Sequence, residues 1–105
     1  MHQLSIREPE AFWGNLAREL ITWERDFHTV KTGSLVEGNP SWFLGGKLNA
    51  SFNCVDRHAL KDPKKVAIIH ETDDGNGGQS ITYGELLKQV SKVSWVLKDL
   101  GVKKG

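Results

Sequence analysis

The sequence predicts an incomplete α/β unit. Its parts are an N-terminal amphipathic helix followed by ordered loops, a second short helix, a β-hairpin, and then a long amphipathic helix. Three observations carry that expectation. Apolar residues recur at helical spacing after Pro9, a compact apolar run at Val66-Ala67-Ile68-Ile69 is followed by a glycine-rich loop, and a capping signal at Thr82 opens a second helical period.

Pro9 suits the first turn of a helix, where its missing N–H costs nothing. Phe12, Trp13, Leu16, Ala17, Leu20 and Ile21 follow at helical spacing, with Glu10, Asn15, Arg18 and Glu19 on the other side. A helix from Pro9 to Ile21 is expected, with an apolar face wide enough to need a partner surface. From Trp23 to Ser41 no period is visible, and Gly33, Gly38 and Asn39-Pro40 mark turns. This stretch reads as an ordered loop anchored by Trp23, Phe27 and Val30. Trp42-Phe43-Leu44 reads as a short extended run turned by Gly45-Gly46.

Asn49 is placed to cap a second helix, in which Phe52, Val55 and Ala59 share a face as far as Leu60. Asp62-Pro63 ends it. Val66 to Ile69 reads as a buried strand, and Ser80-Ile81 as the short strand returning from the loop Thr72 to Gln79. Thr82 with Glu85 three residues on makes a capping box. Leu86, Leu87, Val90, Val93, Leu97 and Leu100 then hold helical spacing, and Gly101 stands where a left-handed C-terminal cap is wanted, so a helix spans Tyr83 to Leu100. After Val102-Lys103-Lys104-Gly105 a further element is expected, so the chain reads as cut.

With 105 residues there is room for one small domain, able to bury roughly two-thirds of its unfolded surface. Hydrophobic residues at 38% and charged residues at 26% are a globular composition. A net charge of +1 gives no broad attraction to nucleic acid or an anionic membrane. The pairs Lys64-Lys65 and Lys103-Lys104 sit beside turns and read as solvated. The single cysteine, Cys54, cannot form an internal disulfide and fits a reducing compartment. The first residues lack the apolar run of a signal peptide, and no stretch is long enough to span a bilayer. Without a secretory signal, the acceptor pattern Asn49-Ala50-Ser51 reads as chance.

Residues able to carry chemistry do not assemble into a known motif. Cys54 and His58 could share a helix face, but two ligands do not make a zinc site. Read as a calcium loop from Asp74, the chain has Asn76 and Glu85 at ligand positions, but Gly78 and Gln79 where a ligand and a glycine are needed. Gly75-Asn76-Gly77-Gly78 matches neither phosphate-loop pattern and reads as a hairpin turn. Asp56-Arg57-His58 are consecutive on a helix and so diverge by about 100° each. No catalytic, cofactor-binding or metal-binding residue is therefore assigned.

Three blocks resemble the AMP-forming acetyl-CoA synthetase family. Pro9-Glu10-Ala11-Phe12-Trp13, with Ala17 and Trp23, is similar to its opening helix. Trp42-Phe43-Leu44-Gly45-Gly46-Lys47-Leu48-Asn49, continuing through Asn53-Cys54-Val55-Asp56-Arg57-His58, is the most specific. Ile81-Thr82-Tyr83-Gly84-Glu85-Leu86, with Gly101-Val102-Lys103-Lys104-Gly105, resembles the start of the AMP-binding domain of adenylate-forming enzymes. The resemblance implies that 1–60 is the family's N-terminal region and 61–105 the beginning of the AMP-binding (adenylation) domain. It implies a ligase that makes acetyl-CoA, AMP and pyrophosphate from acetate, ATP and coenzyme A through acetyl-AMP, with magnesium around the phosphates. The family's phosphate loop, ribose-binding aspartate, coenzyme A arginines and catalytic lysine have no counterpart in these residues. The chain alone is therefore expected to be inactive. Its expected partners are the remainder of the synthetase chain and, through the aromatic helix, a second copy. Neither nucleic acid nor membrane is expected, and the location implied is the cytoplasm, with the nucleus open. The competing expectation is a stand-alone interaction module that pairs with a full-length synthetase. In isolation the chain should expose the face Phe12, Trp13, Leu16 and Leu20, and self-associate or melt without a cooperative transition.

Overall fold

The computed structural model describes residues 1–103, which fall into two compact units, the first Met1–Ala50 and the second beginning at Ser51. The architecture is mixed: four α-helices, a π-helical turn and two separate two-stranded antiparallel sheets among the described residues.

In the first unit, α1 (His2–Arg7) runs into α2 (Pro9–Leu20) with a break at Glu8. Glu8 has φ −131° and ψ 60°, outside the helical region, as the residue before a proline prefers. The sequence expectation placed no helix before Pro9; α1 is only six residues long, has no side-chain cap and buries nothing. Helix α2 matches the expected span, with Ile21 as its extended C-cap. Gly14 lets it approach the next element closely, since a Cβ there would stand 2.9 Å from Val30 Cγ2.

The stretch expected to be a loop contains β1 (Thr29–Thr32), paired antiparallel with β2 (Ser41–Leu44) in the register Thr29↔Leu44, Lys31↔Trp42 and Thr32↔Ser41. Thr29-Val30-Lys31-Thr32 is too short and polar to show alternation, and the strand is specified by its partner. The connecting turn is closed by Ser34 and Asn39: the Ser34 N–H donates to Asn39 Oδ1 and the Asn39 N–H to the Ser34 carbonyl. Beyond β2, Arg25 and Lys47 exchange backbone hydrogen bonds at 3.1 and 2.8 Å, which draws the Trp23–Phe27 segment alongside.

In the second unit, helical backbone begins at Ala50–Ser51, directly after Asn49. Its first full turn is a π-helix, Phe52–Asp56, before α3 (Arg57–Lys61). The expected α-helix is thus widened by one residue. The Ser51 hydroxyl donates to Asp56 Oδ2 at 3.2 Å, spanning the five residues of a π turn. Val55 and Ala59 are buried as expected, while Phe52 is half-buried.

Strand β3 (Val66–His70) pairs with β4 (Gln79–Thr82), so the expected hairpin is present. The expectation that β3 is buried is corrected: Val66, Ile68 and Ile69 are exposed, Ile69 at 70%. The apolar run was read as lying in a covered sheet, but β4 is the only strand beside it among the described residues. Helix α4 (Tyr83–Asp99) packs against α3, the π turn and the hairpin. Its C-terminus closes as a Schellman motif: Gly101, at φ 86°, donates to the Lys98 carbonyl and Val102 to Leu97, both at 3.0 Å.

Candidate functional site

Of the chemistry-bearing residues the sequence singles out, Asp56 and His58 are engaged with neighbours. The Asp56 carboxylate accepts from Ser51. The His58 ring lies 5.1 Å from the Tyr83 ring at 33°, and its Nε2 accepts from Arg57 Nε at 3.4 Å. His58 therefore joins α3 to the first turn of α4, and Cys54 is a free, exposed thiol. Among the described residues, no three His, Cys, Asp or Glu side chains are grouped to hold a metal ion.

Two places that could attract an anion, the α4 N-terminus and the glycine loop, are internally bonded. A helix N-terminus attracts phosphate through its free N–H groups. At α4 these groups are used internally: Tyr83 N–H donates to the Lys65 carbonyl, Gly84 N–H to Pro63, and Glu85 N–H to Thr82 Oγ1. The Glu85 carboxylate closes the box by accepting from Thr82 N–H at 2.9 Å. That bond first, and then the Thr82 hydroxyl, hold its pKa below the usual glutamate range. In the glycine loop, Asp74 is the acceptor that holds the turn. It accepts from the Thr72 hydroxyl at 2.6 Å and the Asn76 N–H at 3.1 Å, which lower its pKa. Gly75 N–H donates to the Thr72 carbonyl. A loop already filled by a carboxylate repels a phosphate.

The remaining functional features are surfaces. In the first unit the core is aromatic. Phe27 is 3% exposed, and its ring meets Phe43 at 4.9 Å and Trp23 at 5.1 Å. Phe43 reaches that position with φ 52°, a left-handed backbone costly for an aromatic residue. Trp23 Nε1 donates to the Ala17 carbonyl at 3.0 Å, which fixes the end of α2. Arg18 lies across Phe27, with its guanidinium carbon 4.0 Å from the ring centroid. Its Nε donates to Asp26 at 2.8 Å, which holds the Asp26 carboxyl below its usual pKa. Periodicity placed Arg18 on the polar side of α2 and showed neither contact. Beside this core, Trp13, Leu16, Ala17, Leu20, Ile21 and Phe43 line an open groove of about 240 Å³.

In the second unit, Leu86, Val90, Val93 and Leu97 form an apolar stripe along α4, with Gln89 and Ser94 at its edges. The chain exposes 8565 Å² in all, against about 7,100 Å² for two separate compact bodies of half its mass each. The buried apolar residues are few: Ala17, Phe27, Val55 and Ala59 among those described. Trp13, Leu20, Val93 and Leu97 are among the large apolar residues left exposed.

The family profile described as "Acetyl-coenzyme A synthetase N-terminus" matches residues 1–54. Over the whole chain, the sequence is 60% identical to the acetyl-coenzyme A synthetase of Emericella nidulans and 57% identical to that of Penicillium chrysogenum, covering 16% of each. It is 52% identical to acetyl-coenzyme A synthetase 2 of Saccharomyces cerevisiae, covering 15% of it. The chain thus spans about a sixth of the length of these relatives, and it belongs to the acetyl-coenzyme A synthetase N-terminus family.

Proposed function

We propose that this chain is the structural N-terminal part of an acetyl-CoA synthetase. The whole enzyme would convert acetate, ATP and coenzyme A to acetyl-CoA, AMP and pyrophosphate through acetyl-AMP. The observation that carries the reading is identity of 60% along all 105 residues to a synthetase of which they cover 16%. In this reading 1–60 is the family's N-terminal region and 61–105 opens the AMP-binding domain.

ATP, magnesium and coenzyme A belong to the whole enzyme. In this reading no residue of the chain is assigned to them, which the internally bonded α4 N–H groups and glycine loop support. The contribution of this chain is packing. The Trp13–Leu20 groove and the Leu86–Leu97 stripe are docking faces for the remainder of the synthetase polypeptide. The length of the relatives supplies that occupant, since more than four-fifths of each lies outside the match. Covering four side chains of the α4 stripe would stabilise the whole by about 1 to 2 kcal/mol each. A cytoplasmic location accompanies this reading as an expectation, and cell fractionation tests it.

The test uses the chain alone and the remaining segment of the Emericella nidulans relative, produced separately. The chain with acetate, ATP, magnesium and coenzyme A should release no pyrophosphate, and the two pieces should co-purify. Acetate-dependent pyrophosphate release by the chain alone would overturn the structural role. Failure of the two soluble pieces to associate would overturn the docking role.

A further inference from the structure

We draw no further inference here: the strongest candidate, the apolar stripe Leu86, Val90, Val93 and Leu97 along α4, belongs to the docking reading already given, and nothing else in the structure shows what covers it.

Discussion

The guanidinium of Arg18 is stacked 4.0 Å above the Phe27 ring while its Nε donates to Asp26 at 2.8 Å. One side chain on the supposedly solvated side of α2 thus covers the best-buried aromatic of the first unit. Its Nη2 also reaches the Phe27 carbonyl at 3.3 Å. The ion pair is half-exposed and contributes little, so the cation–π contact, about 0.5 to 1 kcal/mol, is the larger part. Arg18→Lys keeps the charge but loses the plane, and should lose most of what Arg18→Ala loses in urea denaturation. A lysine variant as stable as the parent would show that charge alone matters.

Gly38 and Gly45 have nearly the same backbone, at φ 70° and 78°, but different surroundings. A Cβ at Gly38 meets nothing within 4 Å, whereas one at Gly45 would stand 2.5 Å from His28 Cδ2. Gly38→Ala should cost about 1 to 2 kcal/mol from the left-handed backbone. Gly45→Ala should cost at least about 1 kcal/mol more, because the imidazole must move. Equal losses in parallel denaturation curves would refute the packing of His28 on Gly45.

The capping box gives a pH prediction. Glu85, Asp26 and Asp74 all have folded pKa values below their usual ones. A carboxylate with a depressed folded pKa adds stability above its unfolded value, about 4.3 for glutamate and 3.9 for aspartate, and this is lost as pH falls through the folded value. Stability should therefore decline below about pH 4.5 and be insensitive to these groups above it. Glu85→Gln should flatten part of that decline in melts followed by circular dichroism. Thr82→Ala should cost about 1 kcal/mol at neutral pH, and Thr82→Ser much less. An unchanged acid slope in Glu85→Gln would mean the box does not form in solution.

The long helix was legible because local chemistry marks both its ends: Thr82 with Glu85 at the start, and Gly101 at the close. Helix α2 was legible from Pro9 and its wide apolar period. Strand β1 was not, because four residues of mixed polarity acquire their register only from β2, twelve positions away. Helix α1 carries no cap, and the π turn depends on a five-residue link between Ser51 and Asp56 that no three- or four-residue spacing reveals. The exposure of β3 was hidden for a different reason. Its apolar run suits a covered sheet, and the described residues supply only half of the cover. As for function, family resemblance was legible in the Trp42–His58 block, while the engagement of His58 with Tyr83 needed three dimensions.

Val93 separates the chain's own folding from docking. It is 58% exposed, so Val93→Ser should change the stability of this chain by no more than about 0.5 kcal/mol. If the remainder of a complete synthetase covers the stripe, as proposed, the same change there should cost about 1 to 3 kcal/mol. Equal effects in both settings, read by thermal unfolding, would argue that this stripe stays open to solvent.

The most direct measurement exchanges the 105 residues of the Emericella nidulans synthetase that match this chain for the chain itself. Acetate-dependent acetyl-CoA formation by the purified chimaera is then compared with that of the parent. If this chain is the structural N-terminal part of such an enzyme, the chimaera should retain activity within about tenfold, a loss of no more than about 1.4 kcal/mol in transition-state stabilisation. A folded chimaera with parental thermal stability and no acetyl-CoA formation would contradict that role.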